Sequence, residues 1–179
     1  MKIFVISGCA GSGKSTLANK LANQLPGEVM SFADPIKQAL ASILWPEEKL
    51  LWRQLIQHEK DEPQEILGGR TVREGLQTLG TEWGRNMMDA MIWSRALSAR
   101  LPKEGTVIID DARFPNEVAH VHFVCKEVYH IHCDTNYNKE VRINHGHESE
   151  LYPRILKEKA DFVNSEDDCM GVLAWARER

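Results

Sequence analysis

Ile3, Phe4, Val5 and Ile6 form an unbroken apolar run between Lys2 and Ser7, and Gly8 ends it. A short continuous run closed by glycine predicts a fully buried strand over residues 2–7. The period then changes. Leu17, Leu21 and Leu25 recur at helical spacing with Ala18 and Ala22 in the same stripe, which predicts a helix over 15–25 stopped by Pro26-Gly27. Residues 29–33 predict a second strand. Asp34-Pro35 puts a cap residue before a proline and opens a helix through Leu44.

The middle of the chain is less regular. Residues 45–69 hold two tryptophans, many charges and a Gly68-Gly69 break, which predict a helix near 47–58 and then a loop. From Thr71 the pattern is helical again, with Val72, Leu76 and Leu79 on one face and Gly80 as a stop. Another helix is expected over 87–101, ended by Pro102. Residues 106–110 (TVIID) predict a buried strand running into two aspartates. A helix over 116–125, strands over 127–133 and 161–163, and a helix over 166–176 complete the order. Strands alternating with helices imply right-handed crossovers and a parallel sheet covered on both faces. No repeat, low-complexity stretch or linker interrupts 1–179, so one domain is expected.

Composition agrees with a globular chain: of 179 residues, 42% are apolar and 27% charged, and such a length buries about 70% of its unfolded surface. The net charge of −4 is spread along the chain without a run of like charges, which argues against binding a nucleic-acid polymer. The apolar run near the start is too short for a signal peptide or a membrane span. Cys9, Cys125, Cys133 and Cys169 show no CxxC spacing and read as thiols in a reducing compartment. A soluble, cytoplasmic protein is the expectation.

The chemistry begins at Gly8-Cys9-Ala10-Gly11-Ser12-Gly13-Lys14-Ser15, which matches GxxxxGK[ST] at every specified position, between a predicted strand and a predicted helix. The glycines let consecutive main-chain N–H groups of Gly11, Ser12 and Gly13 converge on phosphate oxygens, and the helix adds its positive dipole end. Lys14 would reach the β- and γ-phosphates, Ser15 would ligate Mg²⁺ and Thr16 would touch the α-phosphate. A carboxylate at the end of a neighbouring strand is then needed for the metal's water shell. Asp110 and Asp111 stand there, and alternation along a regular strand lets only one of them face the phosphates. A capping role is the plain alternative. Arg113 follows at the carboxyl end of that strand, where ligands bind in parallel sheets; a salt bridge to Glu117 competes with a phosphate contact.

The loop alone does not choose between switches, motors and kinases. No NKxD element is present. Arg70, Arg73 and Arg85 flank Gln77, Thr78 and Thr81, and Arg73 and Gln77 share a helix face. This face offers a cation for a phosphate and an amide for a base edge, or is simply a solvated face. Residues 142–150 are polar, glycine-containing and short, as a lid would be.

GCAGSGKST, FADPIKQAL, VREGLQTLGTEWGR with Trp93 behind it, IIDDARFPNE and HGHESE together resemble the deoxynucleoside monophosphate kinases of tailed bacteriophages, with 45–69 outside the match. The resemblance implies a three-layer αβα P-loop kinase fold with a mostly parallel central sheet, an inserted helical acceptor-binding region and a short lid. It implies ATP and Mg²⁺ as cofactors, and transfer of the γ-phosphoryl to a 2′-deoxynucleoside 5′-monophosphate in the cytoplasm of a host cell. Its DxR spacing selects Asp111 as the metal-side carboxylate beside Ser15, with Lys14, Asp111 and Arg113 as the catalytic set. Asp34 and Lys37 would form part of the acceptor site, Arg73, Gln77 and Arg85 would hold the acceptor's phosphate and base, Trp93 would line its pocket, and Glu148 matches the lid string.

Small-molecule nucleotides are thus the expected partners, and a homodimer is compatible with the five tryptophans. The alternatives are another small-molecule P-loop kinase, of the phosphomevalonate or dephospho-coenzyme-A type, and a nucleotide-binding regulator without transfer activity. His130 and His132, two apart on a predicted strand, invite a metal reading. No further ligand at zinc spacing supports it.

Overall fold

The computed structural model describes residues 1–48, 51–134, 152–165 and 168–179. The expected lid over 142–150, with Arg142, His145, His147, Glu148 and Ser149, lies outside the described residues.

The chain begins with β1 (Lys2–Gly8), α1 (Lys14–Gln24), β2 (Gly27–Met30), α2 (Asp34–Leu44) and α3 (Trp52–His58). Two short strands follow, β3 (Pro63–Gln64) and β4 (Arg70–Thr71), then α4 (Val72–Gln77), a π-helical segment Thr78–Met88 and α5 (Ile92–Ser98). The remainder is β5 (Thr106–Ala112), α6 (Pro115–Val124), β6 (Glu127–Cys133), α7 (Pro153–Glu158), β7 (Phe162–Asn164) and α8 (Cys169–Arg177). The chain divides into two compact units, Met1–Phe32 with Leu97–Arg179, and Ala33–Ala96 between those stretches.

The first unit is a parallel sheet in the order β2-β5-β1-β6-β7. Strands buried on both faces read as continuous apolar runs, and Ile3–Ile6 of β1 and Val107–Ile109 of β5 do. Phe4 and Ile6 of β1, Ile108 of β5 and Ile131 of β6 meet Leu17, Ala18 and Leu21 of α1 and Val172, Leu173 and Ala176 of α8. Helices α6 and α7 pack on β6 and β1. Helices therefore layer an all-parallel sheet, the three-layer α/β arrangement expected from the alternation of elements.

In the second unit, Leu40 and Ala41 of α2, Ile56 of α3 and Val72 of α4 form the core, with Leu76 and Leu79 packed against it. The apolar stripe is as expected, but Gly80 is not a stop. The helical path continues in a wider turn through Met88, and Asp89 N–H bonds Gly84 C=O, five residues back, at 3.0 Å. Gly80 and Gly84 serve close approach: a Cβ at Gly84 would lie 2.4 Å from the Trp93 ring, and one at Gly80 3.1 Å from Ile36. Asp34 is likewise not a cap. Ala33 holds the N-cap position, and Asp34 and Pro35 are the first helical residues. The helix expected over 47–58 is confined, among the described residues, to Trp52–His58, and 63–71 forms a β-hairpin whose Gly68 and Gly69 adopt positive φ.

Candidate active site

The phosphate loop is built by main-chain geometry. Gly8, Gly11 and Gly13 have φ of 144°, 73° and 82°. At Gly8 the approach is as restrictive as the dihedral, since a Cβ there would lie 2.4 Å from the Cys133 carbonyl oxygen. Gly13 is the N-cap of α1, no side chain caps the helix, and its first turn carries no acidic residue. The first helical bond runs from Leu17 N–H to Gly13 C=O at 2.9 Å. The N–H groups ahead of it therefore belong to a helix start suited to an anion. Lys14 is buried, and its Nζ donates to the carbonyls of Gly8 at 2.8 Å and Cys9 at 2.5 Å. Ser15 and Thr16 are exposed on the first turn, while Ser12 is buried beneath them.

The two acidic residues sit at an irregular point of β5. Along β1 and β5, Val5 pairs with Ile109 but Ser7 pairs with Ala112, so Asp110 and Asp111 together oppose Ile6. That extra residue is a β-bulge, which re-aims side chains at a strand end. The Ser15 hydroxyl donates to Asp110 Oδ2 at 2.8 Å, and the Ser31 hydroxyl donates to Asp110 Oδ1 at 2.5 Å. Asp111 instead accepts the Phe32 main-chain N–H at 2.8 Å. Asp110, not Asp111, is the carboxylate against the phosphate-loop serine. Ser31 is a site residue the sequence did not disclose, because the pairing of β2 with β5 cannot be read from either strand alone. Arg100 donates to the Ser31 carbonyl at 3.1 Å and fixes the same corner.

Arg113 is half-buried at the start of α6. The buried Glu117 carboxylate accepts the main-chain N–H groups of Arg113 at 2.7 Å and Phe114 at 2.9 Å. Glu117 thus organises the turn that carries Arg113.

In the second unit each expected acceptor residue has a defined setting. Asp34 is buried and takes a 3.0 Å ion pair from Arg53 of α3, whose guanidinium also stacks 4.9 Å from the Trp52 ring centroid. Lys37 follows on α2, half-buried. Arg73 grips Asp61 with two bonds, 2.7 Å from Nε and 3.2 Å from Nη2. Thr71 and Glu74 form a capping box that starts α4, which carries Gln77 at its end. Arg85 donates to the Ala90 carbonyl at 3.0 Å. Trp93 departs from its expected part as a pocket wall: it is buried against Gly84, and its ring N–H donates to the Gly80 carbonyl at 2.6 Å. Arg53 and Asp61 went unread because they fall in the irregular stretch.

His130 and His132 converge on a hydroxyl. Ser7 Oγ lies 2.7 Å from His130 Nε2 and 2.8 Å from His132 Nδ1. Burial pushes both imidazoles down to about 4, and the His130 ring adds to the depression at His132. Both are neutral at pH 7. His120 bonds Ser98 at 2.8 Å. Among the described residues no group of three or more His, Cys, Asp or Glu could hold a metal ion by itself.

A parallel α/β sheet with a glycine-rich loop and a serine–aspartate pair at its carboxyl edge defines a three-layer P-loop protein. The comparisons carry the likeness one step further. The chain is 30% identical over 131 residues to a protein of Acanthamoeba polyphaga mimivirus named "Putative deoxynucleotide monophosphate kinase", across 65% of this chain and 66% of that one, just under two thirds of its length. No protein-family model matches. Solved structures that align with it include the shikimate kinase of Aquifex aeolicus (15% identity, TM-score 0.49, 99% of this chain and 97% of that one). A sugar kinase from Janibacter sp. HTCC2649 aligns at 16% identity and TM-score 0.45, over 99% and 93% of the two chains.

Proposed function

We propose that the protein is a phosphotransferase that moves the γ-phosphoryl of Mg-ATP to a 2′-deoxynucleoside 5′-monophosphate, giving ADP and the deoxynucleoside diphosphate. The observation that carries the reading is the contact of Ser15 with Asp110 beside a loop whose lysine is already folded inward. The likeness to the mimivirus protein supports the choice of acceptor class.

In this reading Gly11, Ser12, Gly13, Lys14, Ser15 and Thr16 bind the triphosphate. The oxygen donors Ser15 and Asp110 suit Mg²⁺, which usually takes one or two protein ligands and completes its shell with phosphates and water. The metal would neutralise charge on the β- and γ-phosphates. Ser31 holds the Asp110 carboxylate in its plane, and Asp111 anchors the Phe32 end of the same corner. Lys14 exchanges its loop carbonyls for phosphate oxygens and stabilises the charge that develops on transfer. Arg113 contributes a second cation. Arg73, Gln77 and Arg85 bind the acceptor's phosphate and base, with Asp61 orienting Arg73 and Arg53 orienting Asp34. Lys37 adds a cation on the same unit.

An acceptor phosphate oxygen forms the new bond to the γ-phosphorus while the bond to the β–γ bridging oxygen breaks and ADP leaves. A monophosphate with its second pKa near 6 is already mostly dianionic at pH 7, so no side chain has to remove a proton. Alignment is the larger contribution, about 7–11 kcal/mol of barrier in well-oriented systems.

The test is ADP release from Mg-ATP with a panel of four deoxy- and four ribonucleoside monophosphates, each product identified by mass. Deoxynucleoside diphosphates are expected. A panel in which no monophosphate is consumed would sink the assignment, and ATP loss without an acceptor would favour a hydrolase.

A further inference from the structure

We propose that Ser7, His130 and His132 form a positioning network for the phosphate loop, in which two imidazoles of β6 hold the hydroxyl at the end of β1 and thereby set the Gly8 carbonyl that receives Lys14. The inference rests on the reading of this loop as a triphosphate site.

The placement of polarity argues for it. On the face of β1 shared by Ile3, Val5 and Ser7, and the facing positions Val128, His130 and His132 of β6, the side chains are apolar as far as Val5 on β1 and Val128 on β6, and polar beyond. There three polar side chains, between 0 and 2% exposed, replace the aliphatic packing. Buried polar groups are costly unless bonded, so a sheet that needed only a core would continue with valine or isoleucine. Here each imidazole bonds the one hydroxyl. The hydroxyl has a single hydrogen, so one ring accepts it and the other donates its own N–H to the oxygen. The ring that accepts must be neutral, and burial keeps both rings neutral at pH 7.

The network is also next to the phosphate loop. Gly8 follows Ser7 directly, pairs with Cys133 across the sheet, and its carbonyl accepts a hydrogen bond from the Lys14 ammonium at 2.8 Å. The Cys133 carbonyl lies so near Gly8 that a Cβ could not fit between them. Displacing the end of β1 against β6 therefore displaces the carbonyl on which Lys14 rests. These residues touch no phosphate; they act through Gly8 and Lys14.

The two rings use different nitrogens, which permits a discriminating test. A glutamine amide reaches about as far as Nε2, and an asparagine amide about as far as Nδ1. The affinity of the full chain for the non-hydrolysable analogue AMP-PNP with Mg²⁺ is measured by calorimetry, with folding checked by near-ultraviolet circular dichroism. Ser7→Ala and His132→Leu are expected to weaken binding about tenfold, the scale of one lost hydrogen bond. His132→Asn and His130→Gln should recover to within about threefold of wild type. Wild-type affinity in Ser7→Ala, or equal losses in His132→Leu and His132→Asn, would overturn the network while leaving the proposed function standing. A wild-type chain that binds no AMP-PNP overturns both. If Ser7→Ala does not fold, the contrast between the two His132 variants decides.

Discussion

Asp110 and Asp111 are chemically identical neighbours with different partners, and they stand at a bulge in β5. Asp110 takes hydroxyls from Ser15 and Ser31, whereas Asp111 takes a main-chain N–H from Phe32. If the hydroxyl contact marks the metal side, Asp110→Asn should lower kcat by about 10²-fold or more, on the scale seen when one preorganised electrostatic contact to a reacting group is removed. Asp111→Asn should cost less and show itself mainly in stability. Steady-state rates across a Mg²⁺ titration compare the two, and a larger loss in Asp111→Asn would return the role to that residue. Lys14→Ala should abolish turnover with the fold intact by circular dichroism; activity near wild type in that variant removes the loop lysine from the chemistry. The choice between the aspartates was not legible in the sequence. Alternation assumes a regular strand, and a bulge is a property of two strands in register.

At the scale of elements, legibility followed burial. The continuous apolar runs of β1 and β5 predicted their strands to within two residues, because a strand covered on both faces leaves one pattern. The π-helical segment was not legible, since Gly80 and Gly84 look like breakers in a sequence and act as contact points in the structure. Gly84→Ala should therefore destabilise the protein by about 1–3 kcal/mol through overpacking against Trp93, measured by urea unfolding. A helix-stabilising effect of that alanine would contradict the packing. Helix α7 was missed because its six residues are too few to display a period.

The paired histidines of β6 carry a pH dependence of their own. Their folded values, about 4, lie below the ordinary 6.5, so from pH 6.5 down to about 4 the unfolded chain binds protons that the folded chain refuses. Asp161 opposes the depression at His130 and His122 adds to it; at His132, Asp134 opposes it, while Lys157 and Lys14 add to it. Stability from this source is full above pH 6.5 and is lost as pH falls toward 4. Melting temperatures across that window should drop less in a His130→Gln/His132→Asn double variant than in wild type. Parallel curves would exclude the histidines as the cause.

For the whole molecule, the sequence led to an expectation of one domain, and the residues it singled out fall in both compact units. The phosphate loop with its aspartates belongs to the sheet unit, and Arg73, Gln77 and Arg85 belong to the unit spanning Ala33–Ala96. It did not disclose that Arg73 is already engaged by Asp61. If the second unit serves the acceptor, Arg73→Ala should raise the acceptor KM by about tenfold or more, as expected for a charged hydrogen bond, and leave the KM for ATP unchanged. A change confined to ATP would assign Arg73 to the donor. The central claim is transfer between two bound nucleotides, and the fate of the γ-phosphate reads it directly. With γ-labelled ATP, Mg²⁺ and a deoxynucleoside monophosphate, the account predicts label in the deoxynucleoside diphosphate and none there in Lys14→Ala. Label appearing only as inorganic phosphate, at a rate indifferent to the monophosphate, would contradict it.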